Sequence, residues 1–302
     1  MELRPDRPAI GSRHLGLGRP QLLGLRPGLL PRRRGGGLRG ARDAGITLFD
    51  TAEAYGRGTS ERLLGGFIAD RADDEAIAVA TKFAALPWRL GRRGPLRAAL
   101  QASLERLDQP SVALYQIHWP LPLGTRAWLL DLAAAFQQGL IGGVGVSNYG
   151  PSQLRRAHRT LARYGVPLAT NQVEYSLLTR RPERNGLVDL CQELDVTIIA
   201  YSPLAQGLLT GTYGPGRPPP GVRRLRWGRQ LPTLEPLIRR LNEIGENHGG
   251  RTPAQVALNW LVGRGAVPIP GAKTAEQAQH NAGGVGWSLS DDEVSELSRM
   301  GG

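Results

Sequence analysis

The stretch Gly45-Ile46-Thr47-Leu48-Phe49-Asp50-Thr51-Ala52-Glu53-Ala54-Tyr55-Gly56 begins as an apolar run and ends in polar residues. Its first part, Ile46–Asp50, predicts a short buried strand, and Tyr55 follows in the next loop. Two later apolar runs end in the same way, Ala76–Lys82 with a lysine and Val112–His118 with a histidine. Chemically active side chains therefore recur at the ends of successive predicted strands.

Strand-like and helix-like patterns alternate from residue 45 onward. The other predicted strands are Ile141–Ser147, Ala169–Glu174, Val196–Tyr201 and Ala266–Ile269. The predicted helices are Ser60–Ile68, Gly94–Leu107, Trp128–Gln138, Pro151–Tyr164, Arg184–Leu194, Leu234–Asn247, Pro253–Arg264, Ala275–Ala282 and Asp291–Met300. Ser60 and Ser290 are the expected caps of the first and last helices. Apolar strands that alternate with helices indicate a parallel sheet covered by helices, and eight such units make a barrel. The sequence therefore predicts an α/β fold, a (β/α)8 TIM barrel.

The first strand of that barrel has to come from an unusual N-terminal segment. His14–Gly18 is the candidate strand, and Leu38–Ala44 could be the tail of its helix. Residues 7–42 contain nine Arg, nine Gly and no acidic residue. Three interpretations stay open: a targeting segment, disorder, or a frame error in GC-rich coding DNA. We favour the last, or a degraded N-terminus. We expect residues 1–42 to be irregular, either disordered or contributing the first strand, and residues 43–302 to form the barrel.

Composition limits the classes of function. The net charge is +12, but residues 1–42 hold ten Arg against two acidic residues, whereas the remainder holds 28 basic and 24 acidic residues. That segment has no aromatic residue to stack on bases, so we expect no specific nucleic-acid binding, although nonspecific attraction to phosphates stays open. The single cysteine, Cys191, lies in an apolar helical pattern and is interpreted as packing in a reducing compartment. No apolar run approaches membrane-spanning length, so we expect a soluble protein.

Asp50, Tyr55, Lys82 and His118 together predict a proton-transfer site. Catalytic groups of parallel barrels gather at the carboxyl ends of the strands, where these four residues fall. A phenol titrates near pH ~10 in isolation, and a neighbouring ammonium favours its ionised form. Asp50 could hold the lysine in place, and His118 could hydrogen-bond a substrate oxygen. Such a set suits the reduction of a carbonyl group.

At this point the chain resembles a known family. Its opening stretch, with Ala80-Thr81-Lys82 and Gln116-Ile117-His118-Trp119-Pro120, is similar to the signature of the aldo-keto reductases. Ala200-Tyr201-Ser202-Pro203-Leu204-Ala205-Gln206-Gly207 and Pro268-Ile269-Pro270-Gly271-Ala272-Lys273 resemble the cyanobacterial and plant-plastid type. The resemblance implies a barrel that uses NADPH without a metal, with Tyr55 as proton donor and the other three residues completing a tetrad. It also implies a cyanobacterial cytoplasm or a plastid.

The resemblance further implies a set of cofactor-binding residues. Ser147, Asn148 and Gln172 stand where the family binds the nicotinamide carboxamide, and Tyr201 where the family stacks on the nicotinamide ring. The residues implied around the pyrophosphate, adenine and ribose are Ser202, Pro203, Leu204, Gly207, Gly271, Lys273, Gln277 and Asn281. Lys273 would pair with the 2′-phosphate and so favour NADP(H) over NAD.

The substrate is expected to be a small-molecule aldehyde or ketone, and a pyridoxal-like aldehyde is one option. Trp88, Trp119 and Trp227 could wall an apolar pocket. We expect a monomer or a weak oligomer. Three rival interpretations stay open: an NADPH-binding barrel that regulates a partner without turnover, a defective product whose N-terminus cannot close the barrel, and nucleic-acid binding through residues 1–42.

Overall fold

The computed structural model describes residues 24–27, 35–69, 77–86, 89, 94–121, 125–214, 216–221, 224 and 231–301, with backbone alone for 24–27 and 35–37. Their Cα positions form two compact units. The first comprises the described residues of Thr51–Gln172 and Asp189–Thr197. The second comprises the described residues of Pro20–Asp50, Val173–Val188 and Ile198–Gly302.

Strands and helices alternate along the described chain. The strands are β1 Gly24–Pro27, β2 Leu48–Asp50, β3 Ala78–Phe83, β4 Leu114–Ile117, β5 Val144–Ser147, β6 Leu168–Glu174, β7 Thr197–Tyr201, β8 Ala266–Pro268 and β9 Gly271–Ala272. The helices are α1 Gly35–Asp43, α2 Thr59–Ala69, α3 Pro95–Leu107, α4 Thr125–Gln137, α5 Pro151–Ala162, α6 Arg181–Arg184, α7 Leu187–Glu193, α8 Leu231–Asn247, α9 Pro253–Gly263, α10 Ala275–Ala282 and α11 Asp291–Met300. Short 3-10 turns lie within Ala205–Thr210 and are interrupted by non-helical backbone angles at Gln206 and Gly207.

In the first unit, β3, β4, β5 and β6 pair in parallel in that order. Both faces of β4 and β5 are buried. Continuous apolar strands of this kind are stable only when a parallel sheet is covered on both sides. The alternation of side chains divides each strand between the two faces. Thr81, for example, hydrogen-bonds Glu61 of α2, so its neighbour Lys82 projects from the opposite face.

In the second unit, β1 pairs in parallel with both β2 and β9, and β7 pairs in parallel with β8. Helix α1 packs closely against α10, and Gly40 explains how. A Cβ atom at Gly40 would overlap the backbone of Ala275, so only glycine permits this approach. The Arg/Gly-rich segment thus contributes a strand and a helix to this unit.

The seven strands predicted from residue 45 onward are confirmed, and the cap at Ser290 is confirmed by its hydrogen bond with the amide of Glu293. The helix predicted over Leu38–Ala44 is present as α1, while His14–Gly18 lies outside the described residues. The boundary placed after residue 42 stays a prediction.

Two details of the helix predictions are wrong. The predicted helix Arg184–Leu194 is divided into α6 and α7, because Gly186 takes a left-handed φ of 72° and the side chain of Asn185 accepts from the amide of Leu187. Ser60 is not a cap. It lies within the first turn of α2, and its buried hydroxyl accepts a hydrogen bond from Thr51 Oγ1 at 2.8 Å.

Candidate active site

Lys82 is fully buried in β3, where an ammonium group needs a partner. Its Nζ donates a hydrogen bond to the carbonyl oxygen of Thr51 at 2.8 Å. The same Nζ lies 5.3 Å from the centroid of the Tyr55 ring. The structure therefore brings the predicted lysine and tyrosine together, with a backbone carbonyl as the anchor of the lysine.

The loop that carries Tyr55 is held by its own backbone. The Thr51 amide donates to Ala80 of β3 at 2.8 Å, and the Tyr55 amide donates to Ala52 at 3.0 Å. Gly56 and Gly58 take left-handed φ angles of 59° and 82°, which let the chain turn sharply into α2. Tyr55 is half-buried on this loop.

Glu53, two residues before Tyr55, ties this loop to the segment that follows β3. Its Oε1 accepts from the backbone amide of Ala84 at 2.6 Å. The Arg89 guanidinium binds the carboxylate in a bidentate manner, at 2.5 Å to Oε1 and 3.2 Å to Oε2. Because both groups are largely shielded from water, this pair fixes the loop more strongly than a surface ion pair would.

His118 comes directly after β4, and its backbone amide donates to Phe83 at 3.0 Å. Its ring meets the Tyr55 ring edge-to-face, with centroids 5.7 Å apart and an interplanar angle of 81°. On its other side the imidazole stacks on Trp119, with centroids 3.7 Å apart. Trp119 is 39% exposed. Of the three predicted pocket tryptophans, only Trp119 can be placed, since Trp88 and Trp227 lie outside the described residues.

Ser147, Asn148 and Gln172 form one hydrogen-bonded group in the first unit. The Gln172 carbonyl oxygen accepts from Ser147 Oγ and from the Asn148 amide, both at 2.8 Å. Asn148 Nδ2 donates to Ser147 Oγ and to the carbonyl oxygen of His118, both at 3.1 Å. Asn148 has a φ of 63°, a conformation that asparagine tolerates better than most residues. The three residues predicted to bind a carboxamide thus lie together beside the histidine.

Asp50 and the ring-stacking candidate belong to the second unit. Asp50 ends β2 and is fully buried. Tyr201 ends β7, and its carbonyl oxygen accepts from the amide of Tyr175 at 3.3 Å. After Tyr201 the chain turns through three consecutive left-handed residues, Ala205–Gly207, and Ser202 also has a positive φ. Such strained turns expose backbone groups and recur where a protein clamps a ligand.

The predicted adenine-end residues lie just before α10 or within it. Thr274 caps this helix by accepting from the Gln277 amide at 3.2 Å. Gln277 Oε1 accepts from the backbone amide of Lys273 at 2.7 Å. Gly271 and Lys273 are exposed, whereas Asn281 is buried. The structure brings Lys273 and Gln277 together at the helix start, a position that favours anions.

Each unit, taken by itself, carries features that match a part of NADP(H). Paired amide and hydroxyl groups beside His118 match the donor and acceptor pattern of a carboxamide. A Gly-containing turn with positive φ angles and a lysine before a helix N-terminus match phosphate groups. Among the described residues, no group of three or more His, Cys, Asp or Glu side chains could hold a metal ion. No helix in the described ranges is long and apolar enough to cross a membrane.

Sequence reasoning missed several residues that hold the site in place. They include the Thr51 carbonyl group, the Glu53–Arg89 ion pair and a fully buried carboxylate, Glu61, behind β3. The charge of Glu53 and Glu61 was visible, but their burial depends on contacts distant in the chain. The placement of Glu61 in a first helical turn was the one available signal, and it indicated a favourable dipole interaction rather than burial.

Comparison with known proteins gives a consistent assignment. The aldo/keto reductase family model matches residues 34–301. The chain is 43% identical over 269 residues to the chloroplastic pyridoxal reductase of Arabidopsis thaliana, which covers 85% of this chain and 73% of that protein.

Solved structures agree with this assignment. The thermostable aldo-keto reductase Tm1743, in complex with the inhibitor epalrestat, is 33% identical with a TM-score of 0.74, covering 92% of this chain and 94% of that one. The aldo-keto reductase of Klebsiella pneumoniae in complex with NADPH is 28% identical, also with a TM-score of 0.74, covering 92% and 90%. These similarities confirm the predicted (β/α)8 class, the NADP(H) cofactor and an oxidoreductase activity. The chain belongs to the aldo/keto reductase family.

Proposed function

We propose that this protein reduces aldehydes and small ketones to alcohols with NADPH, and that Tyr55 donates the proton to the carbonyl oxygen. The observation that carries the proposal is the position of Lys82 Nζ, 5.3 Å from the centroid of the Tyr55 ring. A buried cation next to a phenol makes that phenol a stronger acid, because it stabilises the phenolate left after proton transfer.

Each residue of the site then has a defined task. NADPH, when bound, supplies the hydride that adds to the carbonyl carbon. Lys82, held by the Thr51 carbonyl group, supports the charge that develops on Tyr55. The ring of His118, edge-on to Tyr55, is placed to orient the carbonyl oxygen, with Asp50 as the fourth member of the tetrad. Ser147, Asn148 and Gln172 orient the carboxamide.

For the substrate we propose flat aromatic aldehydes of the pyridoxal type as the preferred class. Two facts support this choice. The Trp119 ring is stacked on His118 and is partly exposed, so it offers an apolar plane next to the site. The chain is 43% identical to the chloroplastic pyridoxal reductase of Arabidopsis thaliana. The chloroplastic location of that protein also supports a plastid as the compartment, with a cyanobacterial cytoplasm as the alternative.

The test is to measure turnover by the Tyr55→Phe variant with a panel of aldehydes that includes pyridoxal. Turnover is monitored as the loss of NADPH absorbance at 340 nm. General acid catalysis contributes about 10²–10⁴-fold, so we expect kcat to fall by that factor. The dissociation constant of NADPH should stay within about twofold, since the phenol hydroxyl is not among the residues proposed to bind the cofactor. Tyr164→Phe is the matched control, because Tyr164 is exposed at 47% and lies in the turn after α5.

Equal loss of turnover and NADPH binding would contradict the role proposed for Tyr55. Binding of NADPH without turnover of any carbonyl compound would instead favour the alternative, a regulatory NADPH-binding protein. Whether the protein is a monomer or a weak oligomer stays a prediction.

A further inference from the structure

A row of four residues crosses the first unit at the level of Lys82. Lys82 is the register partner of Gln116 on β4, Gln116 of Gly145 on β5, and Gly145 of Thr170 on β6. Register partners on parallel strands project from the same face of the sheet. Gln116 and Thr170, like Lys82, are fully buried. A catalytic lysine, an amide and a hydroxyl therefore share one buried row.

This row lies directly beneath the carboxamide-binding residues. His118, Ser147 and Gln172 each follow a member of the row by two positions along the same chain segment. Since side chains two positions apart lie on the same face, these three residues form the next level above the row. The row is thus in a position to support the candidate active site from below.

Gln116 and Thr170 interact across an intervening strand, which is possible only because residue 145 is glycine. Thr170 Oγ1 donates to Gln116 Oε1 at 3.3 Å. A Cβ atom at position 145 would overlap Thr170 Oγ1 and would lie 2.7 Å from Gln116 Cγ. Gly145 does not have a positive φ, so the site requires glycine for space rather than for backbone conformation. The absence of a side chain at Gly145 thus gives the Gln116 amide and the Thr170 hydroxyl room to form their hydrogen bond.

The amide nitrogen of Gln116 also needs a hydrogen-bond partner. Its Nε2 is buried, and no described residue accepts a hydrogen bond from it. A buried donor without a partner costs stability. A hydroxyl both donates and accepts, so Thr170 binds the amide equally well when Nε2 is the donor. That orientation satisfies Nε2 and turns the carbonyl oxygen away from Thr170.

We propose that Gln116, held by Thr170 across Gly145, presents its amide carbonyl oxygen to the Lys82 ammonium, directly or through one water molecule, and is a positioning residue for proton transfer. The inference rests on the proposed function, since it assigns Gln116 a task in the same site. Lys82 already donates to the Thr51 carbonyl oxygen, and an ammonium group has three donors. A neutral acceptor below it would keep Lys82 charged and directed at Tyr55.

The ionisable groups that the proposed function assigns to the same task as Lys82 are Tyr55, His118 and Asp50. Tyr55 faces Lys82 from the loop after β2, and His118 stands on the segment after β4 with its ring against Tyr55. Asp50, at the end of β2, is the acidic member of the proposed tetrad. Gln116 differs from all of these because it cannot itself titrate, so its effect can be recognised as a shift in the titration of others.

The experiment compares Gln116→Leu, Gln116→Glu and Thr170→Val with the unmodified protein. For each, kcat for the best aldehyde is measured from pH 5 to pH 10, together with the NADPH dissociation constant by fluorescence. Reduction requires a protonated acid, so the rate falls on the alkaline side. Gln116→Leu should lower kcat about 10-fold or more and move the alkaline limb to lower pH, because a buried ammonium that loses an acceptor gives up its proton more easily. NADPH affinity should change less than twofold.

The other two variants separate positioning from packing. Gln116→Glu keeps an acceptor oxygen and adds negative charge, so it should move the alkaline limb to higher pH. Thr170→Val keeps the shape of Thr170 and removes its hydroxyl, so it should shift the limb in the same direction as Gln116→Leu by a smaller amount. Thr160→Val is the control, because Thr160 is partly exposed on α5 and hydrogen-bonds only the backbone of Arg156 among the described contacts.

A loss of kcat with an unmoved alkaline limb in all three variants would show a packing role and overturn the inference. Unchanged kcat in Gln116→Leu would overturn it too. If Gln116→Leu does not fold, as judged by circular dichroism, Gln116→Glu and Thr170→Val decide the matter. Absence of carbonyl reduction by the unmodified protein would defeat the proposed function instead, and the two failures are therefore distinguishable.

Discussion

Replacement of Glu61 by alanine should destabilise this protein more than the loss of any ordinary surface carboxylate. Glu61 is fully buried on α2. Its Oε1 accepts from Thr81 Oγ1 at 2.6 Å, and its Oε2 accepts from Arg106 Nε at 2.7 Å. Arg106 also donates to Ser103 Oγ at 3.0 Å. The carboxylate thus connects β3, next to Lys82, with α3.

The size of the effect follows from what the substitution leaves behind. Removal of one partner of a buried ion pair typically costs about 3–5 kcal/mol, because the other charge stays buried and uncompensated. The Arg106 side chain is 21% exposed, so water partly compensates it and the lower end applies, about 3 kcal/mol. Thr81→Val keeps the ion pair and removes one hydrogen bond to a charged group, which is worth about 1.5–3 kcal/mol.

Urea unfolding followed by circular dichroism measures both effects. With a slope of about 3 kcal/mol/M, a loss of about 3 kcal/mol moves the midpoint by about 1 M. Glu193→Ala is the matched control. Glu193 also binds an arginine, Arg155, in a bidentate pair, but both side chains are exposed and we expect no measurable shift. Equal midpoint shifts for Glu61→Ala and Glu193→Ala would refute the reasoning.

Further predictions concern packing and one titratable group. Gly65→Ala should destabilise the protein, because its Cβ would lie 2.5 Å from the Leu107 carbonyl oxygen, whereas Gly66→Ala, with nothing within 4 Å, should stabilise α2 by up to about 1 kcal/mol; thermal unfolding of the two variants should shift in opposite directions. Burial raises the pKa of the Cys191 thiol to about 12, so its reaction with a thiol reagent at pH 8 should be slow until the protein unfolds. The thiol of the unfolded chain loses its proton at about pH 9, whereas the thiol of the folded protein keeps it. This difference lowers the free energy of unfolding as the pH rises from there towards 12. Cys191→Ala should therefore reduce the dependence of the free energy of unfolding on pH in that range.

Much of the fold was predictable because local patterns and tertiary contacts agree. The runs that end in Asp50, Lys82 and His118 are apolar and short, and parallel strands buried on both faces require that composition. The division between α6 and α7 was missed, since Asn185 and Gly186 were treated as part of a helical pattern. Asn-Gly is a turn signal, and in this chain it outweighs the apolar periodicity around it.

The polar residues at the strand ends of the candidate site could be predicted from the sequence, but the residues that hold them in place could not. Lys82 and His118 could be selected because each ends an apolar run, and Tyr55 because it lies in the loop after such a run. Glu53 and Gln116 could not, because nothing in the local sequence shows that one is buried against Arg89 and the other against Thr170. The first contact joins residues that are 36 positions apart, and the second joins residues that are 54 positions apart. Contacts at such separations leave no periodic pattern in a single sequence.

The anchor of Lys82 is a main-chain oxygen, and that has a consequence for how the protein tolerates change. Every amino acid placed at position 51 brings the same carbonyl group, so exchange of the threonine side chain removes the hydroxyl that faces Ser60 but leaves the lysine's acceptor intact. Substitutions at position 51 should therefore leave the chemistry of Lys82 unchanged and mainly affect the stability of the fold. Only a shift in the path of the backbone, such as an insertion or deletion between β2 and α2, would deprive Lys82 of this particular acceptor.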